Sequence, residues 1–311
     1  MELPEITLQH LKHPANQVIG ILLGAIEKNM RRAHRLLLRQ THAITADNAP
    51  ATHPEALHDF RVEVRRLRVW LQQSRDLVHT RRRARRQLRA IAQGSNAARD
   101  REVMLDLLAQ IEPIAPNQNR EPTQLPPELT ALLRQPVRAL RPRSGKQRRL
   151  CFGPWLAHRL GDALDLTKTC FDGDEVCLHE ARIHIKHMRY LMEPLAQLPA
   201  AAAALNLLKS LQTTLGDLHD LHVLRPNVSP WICAQLSLQL DGIVMNPGAK
   251  TRLIQQNFNH ARDQLIRAID WQGTHYQAAL KSWFNQSDEQ RQALDTHLGQ
   301  VMQMLTSASH A

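Results

Sequence analysis

The chain carries one cationic segment twice, and this repetition constrains the fold more than any other feature. Leu57-His58-Asp59-Phe60-Arg61-Val62-Glu63-Val64-Arg65-Arg66-Leu67-Arg68 recurs as Leu178-His179-Glu180-Ala181-Arg182-Ile183-His184-Ile185-Lys186-His187-Met188-Arg189, with a spacing of 121 residues between His58 and His179. The leucine, the histidine and two arginines are identical, while Val62/Ile183, Arg65/Lys186 and Leu67/Met188 keep their chemical type. A second match follows each copy: Leu88-Arg89-Ala90-Ile91 with Arg99-Asp100-Arg101-Glu102-Val103, then Leu208-Lys209-Ser210-Leu211 with His219-Asp220-Leu221-His222-Val223. Two ordered matches at nearly one offset identify an internal duplication with a period far longer than that of a solenoid repeat. The expected architecture is two similar helical bundles related by a pseudo-two-fold axis. The first would span residues 1–145 and the second 146–311, the latter with a closing helix.

Composition decides the fold class. The 311 residues are 43% hydrophobic but only 4% aromatic, with 12 Gly, which suits Ala/Leu-rich helices and suits β-sandwiches and barrels poorly. The expectation is all-α. Lys plus Arg at 40 against Asp plus Glu at 29 gives a net charge of +11, and 17 His add charge as pH falls. A polyanion is the first partner to consider. The longest apolar run, Val18 to Ile26, falls short of the roughly 18 residues of a membrane span and leads straight into Lys28, Arg31 and Arg32. With no signal-like opening, the expected setting is cytoplasmic, without a membrane partner. Cys151, Cys170, Cys177 and Cys233 form no C-x-x-C pair, so reduced, buried thiols are expected rather than a redox dithiol or a thiolate metal site.

On a helix, His58, Arg61, Arg65 and Arg68 fall within an arc of roughly 80°. Leu57, Phe60, Val64, Leu67 and Leu71 occupy the adjoining arc. The second copy sorts identically: His179, Arg182, Lys186 and Arg189 make the stripe, and Leu178, Ala181, Ile185, Met188 and Met192 lie beside it. The basic stripe therefore borders the core face. A solvated charge run would lie opposite the apolar arc and carry acidic partners at i+3 or i+4, and the stripes are read as having none. Four like charges in line, twice, point to an anionic ligand. Further basic positions are secondary candidates: Arg66 and its counterpart His187, Arg89 and Lys209, and Lys28, Arg31 and Arg35 on an upstream helix that also reads as a plain amphipathic surface helix.

Arg81-Arg82-Arg83-Ala84-Arg85-Arg86 lies where one helix ends and another starts, and it reads as solvated helix-end charge or as a widening of the anion footprint. Arg141 to Arg149 reads as a basic linker, with the boundary between the halves near Gly145. Prolines are expected to break helices between Ile111 and Glu128 and again at Pro226 and Pro230. From Lys250 to Asn285 the helical spacing nominates Phe258, Leu265, Ile269, Tyr276, Leu280 and Phe284 as core, with Trp271 and Trp283 as packing residues. Ser287 and Gln290 have the spacing of a capping box that would open the closing helix.

These residues resemble the CHAD family, the conserved-histidine α-helical domain. The resemblance rests on His58-Asp59-Phe60-Arg61 through Arg68 and His179-Glu180-Ala181-Arg182 through Tyr190. Leu215-Gly216-Asp217-Leu218-His219-Asp220 is similar to the family's turn into the next helix, and Ala98-Arg99-Asp100 with Glu102-Val103 to its Arg-Asp-x-Asp-Val element. Asn96 and His219 depart from the family pattern. The resemblance covers roughly Val18 to Asn285. It implies two four-helix bundles around a central basic channel, binding of inorganic polyphosphate by the stripes, and, in some members, association with polyphosphate granules.

The chemistry of such a site is fork-like bonding from Arg and point-charge contact from Lys to phosphate oxygens, and it demands no reaction. No catalytic residue, cofactor or metal ligand is expected. The alternatives are an RNA or DNA binder, which the net charge permits without a recognised motif, and an HD-type metal phosphohydrolase suggested by His58-Asp59 and His219-Asp220. The cationic stripe disfavours the latter because it repels a divalent cation. Oligomeric state is not legible.

Overall fold

The computed structural model describes residues 3–45, 56–111, 127–135, 143–144, 150–244 and 251–307. In chain order it contains α1 (Leu8–Lys12), α2 (Ala15–Thr45), α3 (Ala56–Gln73), β1 (Val78–His79), α4 (Arg82–Ile111), α5 (Pro127–Arg134), β2 (Arg143–Ser144), α6 (Phe152–Lys168), α7 (Glu175–Met192), a 3₁₀ turn (Glu193–Leu195), α8 (Pro199–Val244) and α9 (Thr251–Ser307). The protein is all-α, as expected. β1 and β2 are a single two-residue antiparallel pairing, Val78 with Ser144 and His79 with Arg143.

Two compact units divide the chain: Met1–Ala97 with Gln124–Thr213 and Ser287–Ala311, and Ala98–Thr123 with Thr214–Gln286. The units cut across the two sequence copies, since the first holds α2 and α3 of one copy together with α6 and α7 of the other. The boundary anticipated near Gly145 lies outside the described residues, as do Pro113, Pro116, Pro122 and Pro126.

In the first unit α2 packs along α3 and α6 along α7, and α3 also meets α7. The reason is the spacing of apolar side chains. Val18, Ile19, Leu22, Leu23, Ile26 and Met30 on α2 are buried, as are Phe60, Val64, Leu67 and Trp70 on α3 and Ala181, Ile185, Met188 and Met192 on α7. These are three- and four-residue steps, one stripe per helix. An aromatic cluster joins the copies: Trp70 stacks with Phe152 at 6.4 Å and with Trp155 at 6.3 Å. The Trp70 indole Nε1–H donates to the Tyr190 carbonyl at 3.2 Å, so its polar edge is satisfied inside the core. Truncating such a ring to alanine costs about 3–5 kcal/mol. The starts of α2 and α6 are tied by Ala15 N–H to Leu150 O and Phe152 N–H to His13 O, both 2.9 Å.

α7 begins at a side-chain cap. The Asp174 carboxylate accepts the Cys177 backbone N–H at 3.0 Å, and that bond holds its pKa below the usual aspartate value. Of the four thiols, all free, only Cys170 is buried; Cys151 and Cys177 are half-buried and Cys233 is exposed, which corrects the expectation of buried cysteines.

The second unit packs α8 against α9 through Leu224, Val228 and Ile232 facing Ala261 and Ala268, with Leu236, Leu265 and Trp271 at the margin. The Gln272 amide donates to the Leu221 carbonyl at 2.9 Å. Three expectations are corrected here. α8 runs through Pro226 and Pro230 without ending. Both prolines are exposed, and buried Leu224, Val228 and Ile232 on the opposite face hold the helix across them. Phe258, Ile269 and Phe284 are 50%, 45% and 44% exposed, not core. Tyr276 and Trp283 are buried as expected, and Ala261, Ala268 and Gln272 complete the buried face of α9, where small residues allow close helix approach. Finally, Ser287, in the part of α9 that belongs to the first unit, opens no helix: it sits inside α9, buried, and its hydroxyl donates to Asp172 at 3.2 Å, beside an Arg291 ion pair to the same carboxylate.

Candidate functional site

α3 and α7 lie in the first unit and carry both copies of the stripe. As expected, the stripe borders the core, but its members differ in burial. Arg61 is 5% exposed, while Arg65 is half-buried and His58 and Arg68 are exposed. On α7, His179, Arg182, Lys186 and Arg189 are all half-buried. The Nε atoms of the duplicated pair Arg61 and Arg182 are both buried without a hydrogen-bond acceptor, although each side chain has other interactions.

The two copies meet electrostatically at Arg68 and His187. Arg68 is exposed by area, yet enough protein surrounds it that lost hydration is the largest influence lowering its pKa, followed by Arg89 on α4 and then Arg65. Among the described residues neither Arg68 nor Arg89 has an ion-pair partner. Arg65 donates from Nη2 to the Asn96 side-chain oxygen at 3.3 Å, so Asn96, a departure from the family pattern, serves as a neutral acceptor beside this cluster. His187 is pushed down to about 4, first by burial, then by His184 and Lys186 on its own helix and by Arg68 from α3. It is therefore neutral at pH 7. His184 meets it edge-on, with ring centroids 6.2 Å apart, and is itself lowered by burial.

Arg66 and Arg189 have a different role. Arg66 lies between two carboxylates, with Nη1 donating to Glu63 at 2.5 Å and Nε to Glu193 at 2.6 Å. Arg189 donates to the other oxygen of Glu193 and to Gln212, each at 2.8 Å, and its guanidinium lies 4.6 Å from the centre of the Tyr190 ring. Burial pushes the Glu63 carboxyl up. It would also lower Arg66, but Glu193 and Glu63 outweigh that and hold the guanidinium charged. Glu193, in the 3₁₀ turn after α7, thus clamps one arginine from each copy. This corrects the reading that the stripes have no acidic partner: Glu193 is four residues after Arg189.

Of the other secondary positions, Lys28 and Arg35 are exposed on α2, Arg31 pairs with Glu27 at 2.7 Å, and Lys209 is exposed on α8. The α2 residues are those of an ordinary amphipathic helix. His184 and Glu193 were not singled out from the sequence, although the one-turn spacing of His184 to His187 and of Arg189 to Glu193 is visible there. Ala98 to Val103 lie in α4. Among the described residues no group of three or more His, Cys, Asp or Glu could hold a metal ion, and no helix is long and apolar enough to cross a membrane.

Fold and site together define an all-helical protein with two matching cationic helices packed in one unit. A model of the CHAD domain matches residues 30–228, and the chain belongs to the CHAD domain family. The crystal structure of the CHAD domain from the plant Ricinus communis is similar over 96% of this chain and 94% of that one, with a TM-score of 0.51 and 18% identity, which shows a shared fold. PptA from Streptomyces chartreusis aligns over 86% of this chain and 99% of its own, with a TM-score of 0.46 and 12% identity. No curated protein matches the chain.

Proposed function

We propose that the protein binds inorganic polyphosphate, without turning it over, through the cationic groups that α3, α4 and α7 gather around Arg68. The observation that carries this reading is the crowding itself. Lost hydration, then Arg89, then Arg65 lower the pKa of Arg68, and Lys186 of the second copy stands beside the neutral His187 that Arg68 also reaches. Like charges held together in a partly desolvated place are unfavourable until an anion neutralises them. A thread of phosphates fits because it supplies several charges along a line, with oxygens that accept from Arg forks. Arg61 and Arg182 deepen the positive field from the core side, and His58 and His179 stand at the starts of the two stripes. Membership of the CHAD domain family supports the same ligand class.

The roles within the stripe are unequal. Arg68, Arg65, Arg89 and Lys186 are the contact set, whereas Arg66 and Arg189 hold the scaffold through Glu193. The role that goes with this reading is non-catalytic and cytoplasmic, on polyphosphate granules. The test is titration of the purified protein with polyphosphate of graded length, with pyrophosphate, ATP and single-stranded RNA at matched salt. Tight binding to polyphosphate, with affinity falling steeply as salt rises, is expected by analogy with nucleic acids. Equal affinity for RNA, or phosphate release dependent on Mg²⁺ or Mn²⁺, would overturn the reading.

A further inference from the structure

A second cationic surface adjoins this site and is not used by it. Arg75, Arg81, Arg82, Arg83, Arg85 and Arg86 are all exposed, and among the described residues none has an ion-pair partner. One carboxylate, Asp76, lies in this stretch of chain, and it is already committed to Arg159 at 2.8 Å. Just before the run, the β1–β2 pairing sets the backbone of Arg143 opposite His79. The run is not an isolated helix end. Arg82, Arg86 and Arg89 follow one another at steps of four and three along α4, one face of that helix, and Arg89 is near enough to Arg68 to act on its charge. From Arg82 to Arg89 the helix rises about 10 Å.

We propose that Arg82, Arg85 and Arg86 on α4 extend the polyphosphate track outward from Arg89 and Arg68, so that the protein distinguishes long polyphosphate chains from short ones. This rests on the polyphosphate reading above and adds chain-length selection to it. A short oligophosphate is held by the crowded groups around Arg68 alone. A longer thread continues along the Arg82–Arg89 face and releases further counterions there. Polyphosphate is the chosen occupant because the surface offers a line of guanidinium groups without a described aromatic side chain among them, whereas a single-stranded nucleic acid is gripped by base stacking as well as by charge.

The test uses the full chain with Arg82 and Arg86 both changed to Gln, compared with Arg225→Gln, Arg252→Gln, which removes the same charge at exposed positions elsewhere. Neither pair contributes to the core, and a melting curve checks that both variants are folded. Affinities are measured for tripolyphosphate and for long-chain polyphosphate at about 0.15 M salt, where charges beyond about 8 Å are screened. The Arg82/Arg86 variant is expected to lose about tenfold in affinity for the long chain, with a shallower salt dependence, and to keep its affinity for tripolyphosphate within about twofold. The control variant should change neither. An equal loss for both lengths, no loss for the long chain, or the same loss in the control would overturn chain-length selection while leaving the polyphosphate reading standing. Failure of wild type to bind polyphosphate of any length would instead defeat the reading beneath it. Single-stranded RNA bound as tightly as the long chain, and weakened as much by the variant, would show that the track does not select polyphosphate.

Discussion

The signature helices α3 and α7 have matching sequences and dissimilar duties. Arg68 and Arg189 occupy equivalent places, yet Arg68 is exposed among other cations while Arg189 is held by Glu193, Gln212 and Tyr190. The charged part of that difference traces to one position. Glu193 corresponds by the duplication offset to Gln72, so the second copy has a carboxylate one turn beyond its last arginine and the first has an amide. Arg66 and His187, also equivalent, divide likewise into a clamped cation and a neutral imidazole. A repeated cationic pattern therefore fixes where side chains stand and leaves their roles to neighbours outside the pattern.

Breaking the clamp should have the largest effect. Glu193→Gln leaves Arg66 with Glu63 alone and strips Arg189 of its carboxylate, and it is expected to lower stability by about 2–4 kcal/mol in denaturant titration. Next, Arg68→Glu should reduce polyphosphate affinity at least about tenfold while leaving the melting temperature unchanged or raised, because it removes repulsion. Arg189→Glu should instead lower the melting temperature. If both substitutions behave alike, the distinction between the copies is lost. Arg61, buried at the equivalent of half-buried Arg182, is a poor choice for the same test, since reversing its charge would cost folding energy as well.

The third comparison is through pH. His187 titrates near 4 in the folded chain and near 6.5 unfolded, so its neutral form is favoured by folding. Its contribution is complete above about pH 6.5 and is lost as pH falls toward 4, on the order of 3 kcal/mol in all. His184 and His34, both lowered, act in the same sense, and Glu63, raised, in the opposite one. His187→Gln should flatten the stability curve between pH 4 and 6.5, and bound polyphosphate should flatten it in the wild type by favouring the imidazolium. A curve unchanged by the substitution would show that His187 is not the group responsible.

A smaller effect is expected from Gln72→Glu, which gives the first copy the carboxylate of the second. It should weaken polyphosphate binding about threefold by pairing with Arg68, at a stability change below about 0.5 kcal/mol. Smallest of all, Lys28→Ala with Arg35→Ala should change stability by less than about 0.5 kcal/mol and affinity for short chains not measurably. A large affinity loss there would mean that α2 contributes to the site after all.

Much of the fold was legible because helical periodicity and burial coincide on α2, α3 and α7: Phe60, Val64, Leu67, Ile185 and Met188 are core where spacing put them. On α9 the same reasoning was right at Tyr276 and Trp283 and wrong at Phe258, Ile269 and Phe284. Apolar residues there line two faces, and the buried one is the face where α9's own Ala261 and Ala268 let Leu224, Val228 and Ile232 of α8 approach, which periodicity alone cannot see. Pro226 and Pro230 misled for a related reason, since packing on the far side of α8 outweighs the local penalty. At the site, residue types and stripe geometry were readable, whereas the bond between Arg66 and Glu193 joins positions 127 apart and has no local trace.

The aromatic junction of Trp70, Phe152, Trp155 and the Tyr190 carbonyl has a consequence for synthesis on the ribosome. Trp70 finds its acceptor 120 residues later in the chain. At about 5–20 residues per second, the first copy waits roughly 6–24 seconds before its core can close. During that interval Trp70 lacks Phe152, Trp155 and the Tyr190 carbonyl, so the nascent first half is the stage at which a chaperone would be needed. Cutting the gene between the copies would make that exposed stage permanent in one fragment, and restoring the structure would then depend on the two fragments finding each other.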